Sequence, residues 1–525
     1  QEQNRRTYAV SWDSHLATPV FCAPDTFSGL AAHVLQLHLP PRSAGRSFAY
    51  PTPDLGSQLR FEGGMWVGGR RRSETLTKVG TRLWRSEPTP DAAGICERSC
   101  RALAGIFSGS LGLTLPALEV DPTEEYFEPR SCVSLIMASR LGLVDLEEHA
   151  RASADAFRAT HGGDEVPLEV GLMIPEHLPT AATALGRVAA RLMASMNPRA
   201  YWTVPVPPGC YSSDPAALSF TASSLATRVS TLLRAFLLGR IGDEPIRRVL
   251  DRLRKPGTLP TGGQLWEFHS GVPDVLSAGQ VAEAWTLAFE AGIEPDGLQL
   301  AADWLALGLT FFRPEHSARH RLPEHAIACV PAYGTTRETG ENVLWSMHHP
   351  DDIRDWRGLT CPWAGLRFAS YAETWLEFAR RNGTPAGAST QLIETVCDQG
   401  FVHAAGLMRA DGSMPDGYDG NYAIKAGPMW RAPIDLAWDS LYRLGSPPGP
   451  AWLRGESFTA VAIGRFRKSK QGWSFSPSVP GPQSILVAGS PDLLEGGSPV
   501  ALAPIPAGLS MALIDGESDV FFAER

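Results

Sequence analysis

The sequence predicts an α+β protein that is mainly α-helical, with a smaller β-rich part toward the C-terminus. Long middle stretches carry apolar residues at helical spacing. From about Ser457, short β-type runs alternate with Gly and Pro. A chain of 525 residues with 43% hydrophobic content can also bury a substantial core. We therefore expect an irregular N-terminal arm and extended segment (1–85), a mainly helical core (86–455) and a β-rich segment (456–525).

The elements of the first third follow from local patterns. The arm contains one apolar run, Ser28 to Leu39, that favours a helix. The core opens on a helix capped by Asp91. The run Val144 to His161 has amphipathic helical spacing, whereas Val166 to Ile174 is typical of a strand.

Two long and nearly uncharged helices follow, "EHLPTAATALGRVAARLMASM" and "DPAALSFTASSLATRVSTLLRAFLLGRIG". Asp214 is the expected cap of the second. Because both are apolar on every face, we expect them in the interior or at a subunit contact. Further helices are predicted over "LSAGQVAEAWTLAFEAGI", "PDGLQLAADWLALGL", "YAETWLEFARRNG" and "TQLIETVCDQGFVHAAGLMR".

Charge and composition exclude some classes of protein. The formal net charge is −9, which argues against a chain that grips nucleic acid through a broad basic face. No apolar run is long enough for a membrane span, and the opening "QEQNRRTYAV" lacks the apolar core of a signal peptide. The eight cysteines are scattered, so we expect reduced, buried thiols of a cytoplasmic protein. Cys96 and Cys100, at helical i, i+4 spacing, are expected on one core face rather than on a metal.

Two histidine clusters could bind a metal. His316, His320 and His325 lie close to Glu315, but the glutamate precedes the first histidine, unlike the H-E-x-x-H pattern. Pro314 and Pro323 favour a solvated loop there.

The second cluster, "SMHHPDDIRDW", offers His348, His349, Asp351 and Asp352. These side chains suit a hard-ion or phosphohydrolase site, which would need further ligands from elsewhere in the chain. The alternative is a turn at Pro350 followed by a helix N-terminus, where acidic side chains are favourable. A cytoplasmic metal-dependent hydrolase that uses these four residues is therefore the second functional hypothesis.

The segment "GGMWVGGRRRSETL" is a candidate contact for RNA or for another subunit. Arg70, Arg71 and Arg72 follow a glycine pair and could bind phosphates, while Trp66 could stack on a base. The glycine spacing matches neither the phosphate-binding P-loop nor the dinucleotide-binding fingerprint, so nucleotide binding is unsupported. The alternative is an ordinary exposed strand or loop.

The stretch "DGYDGNYAIKAG" combines turn residues with a lysine. Its acids have the wrong spacing for a calcium loop, and Lys425 lacks the neighbours that a phosphate loop requires. Gly417 and Gly420 therefore indicate turns, Asn421 to Ala426 a short strand, and "APIDLAWDSLYRLG" a helix. We interpret Gly417, Gly420, Asn421 and Lys425 as structural.

This last segment resembles a stretch in the capsid proteins of totiviruses, the fungal double-stranded RNA viruses of the yeast L-A type. The shared residues are Gly420, Asn421, Tyr422, Ile424, Lys425 and Ala426, followed by Leu436, Ala437 and Trp438. The order of elements from about Leu83 to Gly445 is also similar.

The resemblance implies an elongated, plate-like and mainly helical subunit of a virion. Many copies would form a dimer-based T=1 icosahedral shell in the host cytoplasm, enclosing double-stranded RNA and its RNA-dependent RNA polymerase. No cofactor, metal or membrane is implied. The leading hypothesis is thus a self-assembling structural capsid protein of a mycovirus, more plausibly not an enzyme, because familiar catalytic motifs are missing.

Overall fold

The fold is known from a computed structural model of the chain. It describes residues 7–12, 18–22, 34–38, 63–68, 75, 77–80, 90–106, 129–161, 167–202, 221–255, 260–263, 274–309, 312, 333–335, 342–344, 362–383, 388–410, 412, 414–415, 428–429, 431–449, 451–453, 456–461, 463–488, 492–506 and 508–523.

Twelve helices within these described residues build the larger part of the molecule. In chain order they are α1 (Ala92–Ile106), α2 (Pro129–Arg140), α3 (Glu147–His161), α4 (Leu168–Met173), α5 (Leu178–Ser195), α6 (Ala222–Leu237), α7 (Glu244–Leu253), α8 (Val275–Glu290), α9 (Gly297–Gly308), α10 (Pro362–Arg381), α11 (Ala388–Leu407) and α12 (Arg431–Arg443).

The even-numbered helices form a closed inner ring. Helices α6, α8, α10 and α12 pack in sequence, α12 packs on α2, and α2 packs on α4. The ring closes between α4 and α6, where Arg234 Nη1 lies 3.4 Å from Glu169 Oε1. Inner helices are buried on nearly all faces, as shown by the eight consecutive buried residues of α2. The predicted elongated plate is therefore wrong.

The odd-numbered helices form an outer layer around this ring. Helices α3, α5, α7, α9 and α11 pack on the inner helix that precedes them, and α1 packs on α12. Helix α1, the first of these helices, is thus the outer partner of α12, the last. This arrangement is an (α/α)6 double-layered barrel, in which the outer helices alternate buried and exposed residues.

The starts of α6 and α8 are tied together by one short loop. Thr221 caps α6, with its side chain accepting a hydrogen bond from the Ser224 amide. Asp274 caps α8, and its second oxygen accepts from the Gly263 amide at 2.8 Å. The Thr261 carbonyl accepts from the amide of Ser223, at the start of α6. These hydrogen bonds satisfy backbone groups at both helix N-termini and fix the position of the two ends relative to each other.

Strands occur before, between and after the helices. Those in the N-terminal and middle parts are β1 (Thr7–Trp12), β2 (Thr18–Cys22), β3 (Val34–His38), β4 (Gly63–Gly68), β5 (Tyr333–Thr335), β6 (Asn342–Leu344), β7 (Met414–Pro415) and β8 (Pro428–Met429). They form the antiparallel pairs β1–β4, β2–β3, β5–β6 and β7–β8.

The C-terminal strands form two five-stranded antiparallel sheets. Their orders are β16-β17-β13-β10-β9 and β11-β12-β18-β14-β15. The bounds are β9 (Ala451–Leu453), β10 (Glu456–Ala460), β11 (Ile463–Ser469), β12 (Gly472–Pro477), β13 (Gln483–Ala488), β14 (Leu493–Glu495), β15 (Ser498–Pro499), β16 (Leu502–Ile505), β17 (Leu509–Ile514) and β18 (Val520–Ala523).

The two sheets share one core and one of them also contacts the barrel. Ile485 and Val487 of β13 pack with Trp473 and Phe522 of the other sheet. Leu486, between them, belongs to the core of the barrel. Because alternate side chains of a strand point to opposite faces, the first sheet is buried on both sides.

Several elements differ from the sequence prediction. The run Ser28 to Leu39 contains strand β3 rather than a helix, and Val166 to Ile174 contains helix α4 rather than a strand. Short apolar runs do not distinguish a buried helix turn from a strand, and burial among neighbours decides between them. Helix α6 begins after Thr221, so Asp214 is not its cap. Helix α5 is an outer helix with exposed residues, so it does not lie in the interior, and the alternative of a subunit contact stays a prediction.

The sequence does not predict helices α2 and α7, whereas the remaining helices agree with the prediction. The amphipathic run Val144 to His161 is α3, and the segment that follows the glycine-rich turn is α12. Among the described residues, none of the helices combines the length and apolarity needed to cross a bilayer.

Candidate active site

A cavity of about 440 Å³ runs along the barrel axis and receives side chains from all six inner helices. Its volume falls in the range of about 300–1,000 Å³ that small-molecule sites occupy. The linker between α12 and β9 closes part of its wall with Pro447, Pro448 and Gly449. We call this space the axial cavity.

Four arginines and four glutamates line the axial cavity, so its formal charges balance. They are Arg130, Arg234, Arg367, Arg381, Glu169, Glu283, Glu373 and Glu377. Four aromatic rings lie among them, from Tyr371, Phe378, Trp438 and Tyr442. Charged side chains are rarely buried without partners, and six of these eight belong to three clusters.

The first cluster joins α4, α6 and α8. The Arg234 guanidinium lies 2.8 Å from Glu283 Oε1 and 3.4 Å from Glu169 Oε1. Burial lowers the pKa of Arg234, but Glu283 and Glu169 more than offset this effect and raise it above its ordinary value. Burial also raises the pKa of the neighbouring Tyr371, and the negative charge of Glu283 adds to the effect. Arg234 thus holds two carboxylates at the cavity wall.

The second cluster joins α2, α10 and α12 around Asp435, whose side chain is fully buried. One oxygen, Oδ1, accepts hydrogen bonds from Arg130 and from Arg367 Nε, the latter at 2.8 Å. Arg130 also donates to Ser370 Oγ at 2.7 Å and lies 4.4 Å from the Trp438 ring centroid. Two guanidinium groups therefore reach the cavity from one buried anchor.

The third cluster contains a carboxyl group suited to proton transfer. Glu373 Oε1 accepts a hydrogen bond of 2.7 Å from Arg443 Nη1, and its side chain is only 3% exposed. Burial raises the pKa of Glu373 to about 7, although Arg443 opposes the rise. Burial and the charge of Glu373 also raise the pKa of the fully buried Asp439 well above its ordinary value. The two groups therefore retain a proton between them near neutral pH.

The residues singled out from the sequence belong to other segments of the chain than the cavity-lining residues. Trp66 is in β4, where its backbone pairs with Ala9 of β1. Outside the described residues lie Arg70, Arg71, Arg72, Gly417, Gly420, Asn421, Lys425, His316, His320, His325, His348, His349, Asp351 and Asp352. The roles assigned to these residues stay predictions.

Cys96 and Cys100 are both buried on α1, as the sequence predicts. The hydrogen bond to Cys96, together with burial, raises the pKa of Cys100 well above its ordinary value, so this thiol is not activated. Within the described part of the chain, no group of three or more His, Cys, Asp or Glu side chains could hold a metal ion.

The residues that line the cavity carry a weak signal in the sequence. On α10, the polar residues Arg367, Ser370, Thr374, Glu377 and Arg381 recur at helical spacing. Such a stripe is ordinarily the solvent face of an amphipathic helix. Here α10 is an inner helix, so the same stripe faces the cavity.

Comparisons with solved structures find similar chains among glycoside hydrolases. Unsaturated glucuronyl hydrolase from Bacillus sp. GL1 is 14% identical, with a TM-score of 0.42 over 67% of this chain and 96% of that one. The mannosidase Bt3792 of glycoside hydrolase family 76, from Bacteroides thetaiotaomicron, is 10% identical, with a TM-score of 0.38 over 67% and 99%. Glucoamylase from Hormoconis resinae is 11% identical, with a TM-score of 0.36 over 84% and 90%. No family model and no curated protein matches the chain.

These findings contradict the capsid prediction. The chain's own helices close into a barrel around a charged cavity instead of spreading into a shell plate. The predictions of a structural, non-catalytic protein and of a virion component are therefore wrong. Self-association, contact with RNA and cellular location stay predictions.

Proposed function

We propose that the chain is an enzyme that binds a saccharide in the axial cavity and cleaves a glycosidic bond by acid–base catalysis. The observation that carries the proposal is the lining itself, with four arginines, four glutamates and four aromatic rings in one cavity. With at most one positive charge in excess when Glu373 is protonated, the lining favours a polar but uncharged ligand over a polyanion.

A sugar matches this lining in two ways. Each hydroxyl group both donates and accepts hydrogen bonds, so neighbouring carboxylates and guanidinium groups can be satisfied together. The apolar C–H faces of a sugar ring can lie against aromatic side chains such as Trp438 and Tyr371. The ligand would thereby replace water without leaving buried charges unpaired.

Glycosidic cleavage generally uses one carboxylic acid and one carboxylate. Glu373 supplies the acid, because burial raises its pKa to about 7 and keeps a fraction protonated near neutral pH. As the C–O bond breaks, Glu373 donates its proton to the glycosidic oxygen. Glu283, held by Arg234, supplies the carboxylate that accepts a proton from the water adding to the anomeric carbon. At the end of the cycle Glu283 releases the proton it accepted to solvent, and Glu373 takes one up from solvent.

The test combines turnover with binding. The purified protein is incubated with a panel of neutral oligosaccharides, and released reducing ends are measured. We expect Glu373→Gln and Glu283→Gln to lower kcat by about 10²–10⁴-fold, because each removes one proton-transfer group. Glu148→Gln, a change on the exposed side of α3, is the matched control and should keep full activity.

Two results would refute the proposal. One is the absence of both cleavage and saccharide binding, the latter measured by saturation-transfer NMR on the unmodified protein. The other is undiminished turnover in folded Glu373→Gln and Glu283→Gln, with the fold verified by circular dichroism.

A further inference from the structure

Arg443 connects the cavity to the outer layer of the barrel. Its Nη1 donates to Glu373 at 2.7 Å, and its Nη2 donates to Asp398 Oδ1 on outer helix α11 at 2.9 Å. Exposure rises along this path, from 3% for Glu373 and 6% for Arg443 to 44% for Asp398. One buried guanidinium therefore serves a carboxyl group in the cavity and a carboxylate at the outer surface.

The guanidinium has little freedom to favour one partner. Its centre lies 4.3 Å from the centroid of the Phe401 ring, on the same helix as Asp398. Its Nη1 also donates to the backbone carbonyl of Asp439 at 3.2 Å. Because Arg443 is held on these sides, the same positive charge acts on Glu373, on Asp398 and on the neighbouring Asp439.

The same arrangement occurs one turn earlier on α11. Arg380 donates to Glu394 of α11 at 2.8 Å and to Glu377 of α10 at 2.6 Å. Glu377 lines the axial cavity, as Glu373 does. Two acids of the outer helix are thus each linked through one arginine to a cavity glutamate, at i, i+4 spacing on both helices.

We propose that Asp398 is a positioning residue that governs the protonation of Glu373 through Arg443, an inference that rests on the proposed function. With Asp398 ionised, Arg443 is partly neutralised and Glu373 stays protonated to higher pH. Without that charge, Arg443 acts more strongly on Glu373 and stabilises its carboxylate. Charged and titratable groups that face Glu373 are Arg443, Asp439 and Tyr442 of α12, Asp398 and Cys397 of α11, and Glu377 of its own helix.

The variant Asp398→Asn removes the charge and keeps the shape. Asn can still accept the hydrogen bond from Arg443 through its amide oxygen. We expect Glu373 to titrate about one pH unit lower. The descending limb of the pH profile of kcat/KM should shift to lower pH by the same amount, because catalysis requires the protonated acid.

The measurement is a ¹³C NMR titration of glutamate-labelled protein, in which the Glu373 carboxyl signal is assigned by its loss in Glu373→Gln. Asp251→Asn, on the exposed side of outer helix α7, is the matched control and should titrate as the unmodified protein does. Asp398→Glu, which restores the charge, should do so as well.

The outcomes separate the two proposals. If Asp398→Asn titrates like Asp251→Asn, the role of Asp398 is refuted whatever the activity. A shift in Asp398→Asn that Asp398→Glu reverses supports that role. If the shift occurs but no saccharide is bound or cleaved, the proposed function fails while the control of Glu373 by Asp398 stands. If Asp398→Asn does not fold, Asp398→Ser is titrated instead, and an unshifted Glu373 signal there overturns the inference.

Discussion

Glu373 shows how the surroundings of one carboxyl group set its chemistry. It sits on an inner helix at 3% exposure, with Arg443 on one oxygen and Asp439 close by. Burial removes the carboxyl group from solvent, and this desolvation raises its pKa by more than the attraction of the guanidinium lowers it. The result is a group that can donate a proton near neutral pH.

The same shift predicts how stability depends on pH. Because the pKa of Glu373 rises from 4.5 to about 7 on folding, the folded state binds its proton more tightly. The contribution of Glu373 to the free energy of unfolding is fully present below about pH 4.5. It is lost as pH rises through about 7, and the total loss is about 3 kcal/mol. Glu373→Gln should lack this loss. Urea unfolding between pH 4.5 and pH 8 measures it.

Glu148→Gln is the control for that experiment and should keep the pH dependence of the unmodified protein. An equal change of unfolding free energy in Glu373→Gln and the unmodified chain would show that this carboxyl is not the group responsible.

Helix α4 illustrates how packing overrides a local pattern. Its six residues, Leu168–Met173, are apolar enough to resemble a strand, yet they form one inner wall of the barrel. Gly171 allows this, because a Cβ there would lie 2.8 Å from the Cα of Leu178 at the start of α5. The close approach of the two helices thus depends on the missing side chain.

Gly171→Ala should therefore destabilise the protein by about 1–3 kcal/mol, because backbone must move to admit the methyl group. Gly186→Ala is the matched control on α5, where the nearest atom, Cγ of Arg240, lies 3.9 Å away. Gly186→Ala should stabilise the protein by about 0.5–1 kcal/mol, since alanine favours the helix more than glycine does. Urea denaturation measures the change in the free energy of unfolding of both variants. Equal changes would show that the close approach at Gly171 does not depend on the missing side chain.

The barrel and the β-sheets share buried surface, so we expect them to unfold as one cooperative unit. Leu486, Ile505 and Leu509 of the first sheet belong to the barrel core, while Ile485 and Val487 belong to the core between the sheets. Helix α4 packs on β13 directly. Removing either partner would expose this apolar face to water.

Leu486→Ala should accordingly cost about 2–5 kcal/mol and raise hydrogen exchange in both the barrel and the sheets. Leu513→Ala, on the adjacent strand β17, is the control, because Leu513 is 53% exposed. Its effect should stay within about 0.5 kcal/mol. Faster exchange confined to the sheets in Leu486→Ala would show that the two parts unfold independently.

Local patterns identify much of the helical structure, since helical spacing of apolar residues requires only neighbouring positions. Helices α3, α5, α8 and α12 follow in this way from the sequence. The polar stripe of α10 is visible as well. Whether such a stripe faces solvent or a cavity depends on what covers it, and that information lies in other helices.

The axial cavity and its clusters depend on contacts between distant parts of the chain. Arg130 meets Asp435 across 305 positions, and Arg443 meets Glu373 across 70. No local period encodes these distances, so the charged residues resemble ordinary surface residues until the ring closes. The sequence alone determines helices, a β-type tail and a buried core, because these follow from nearest neighbours. The barrel, its cavity and the paired charges arise only when six inner helices enclose a common axis and exclude water from it.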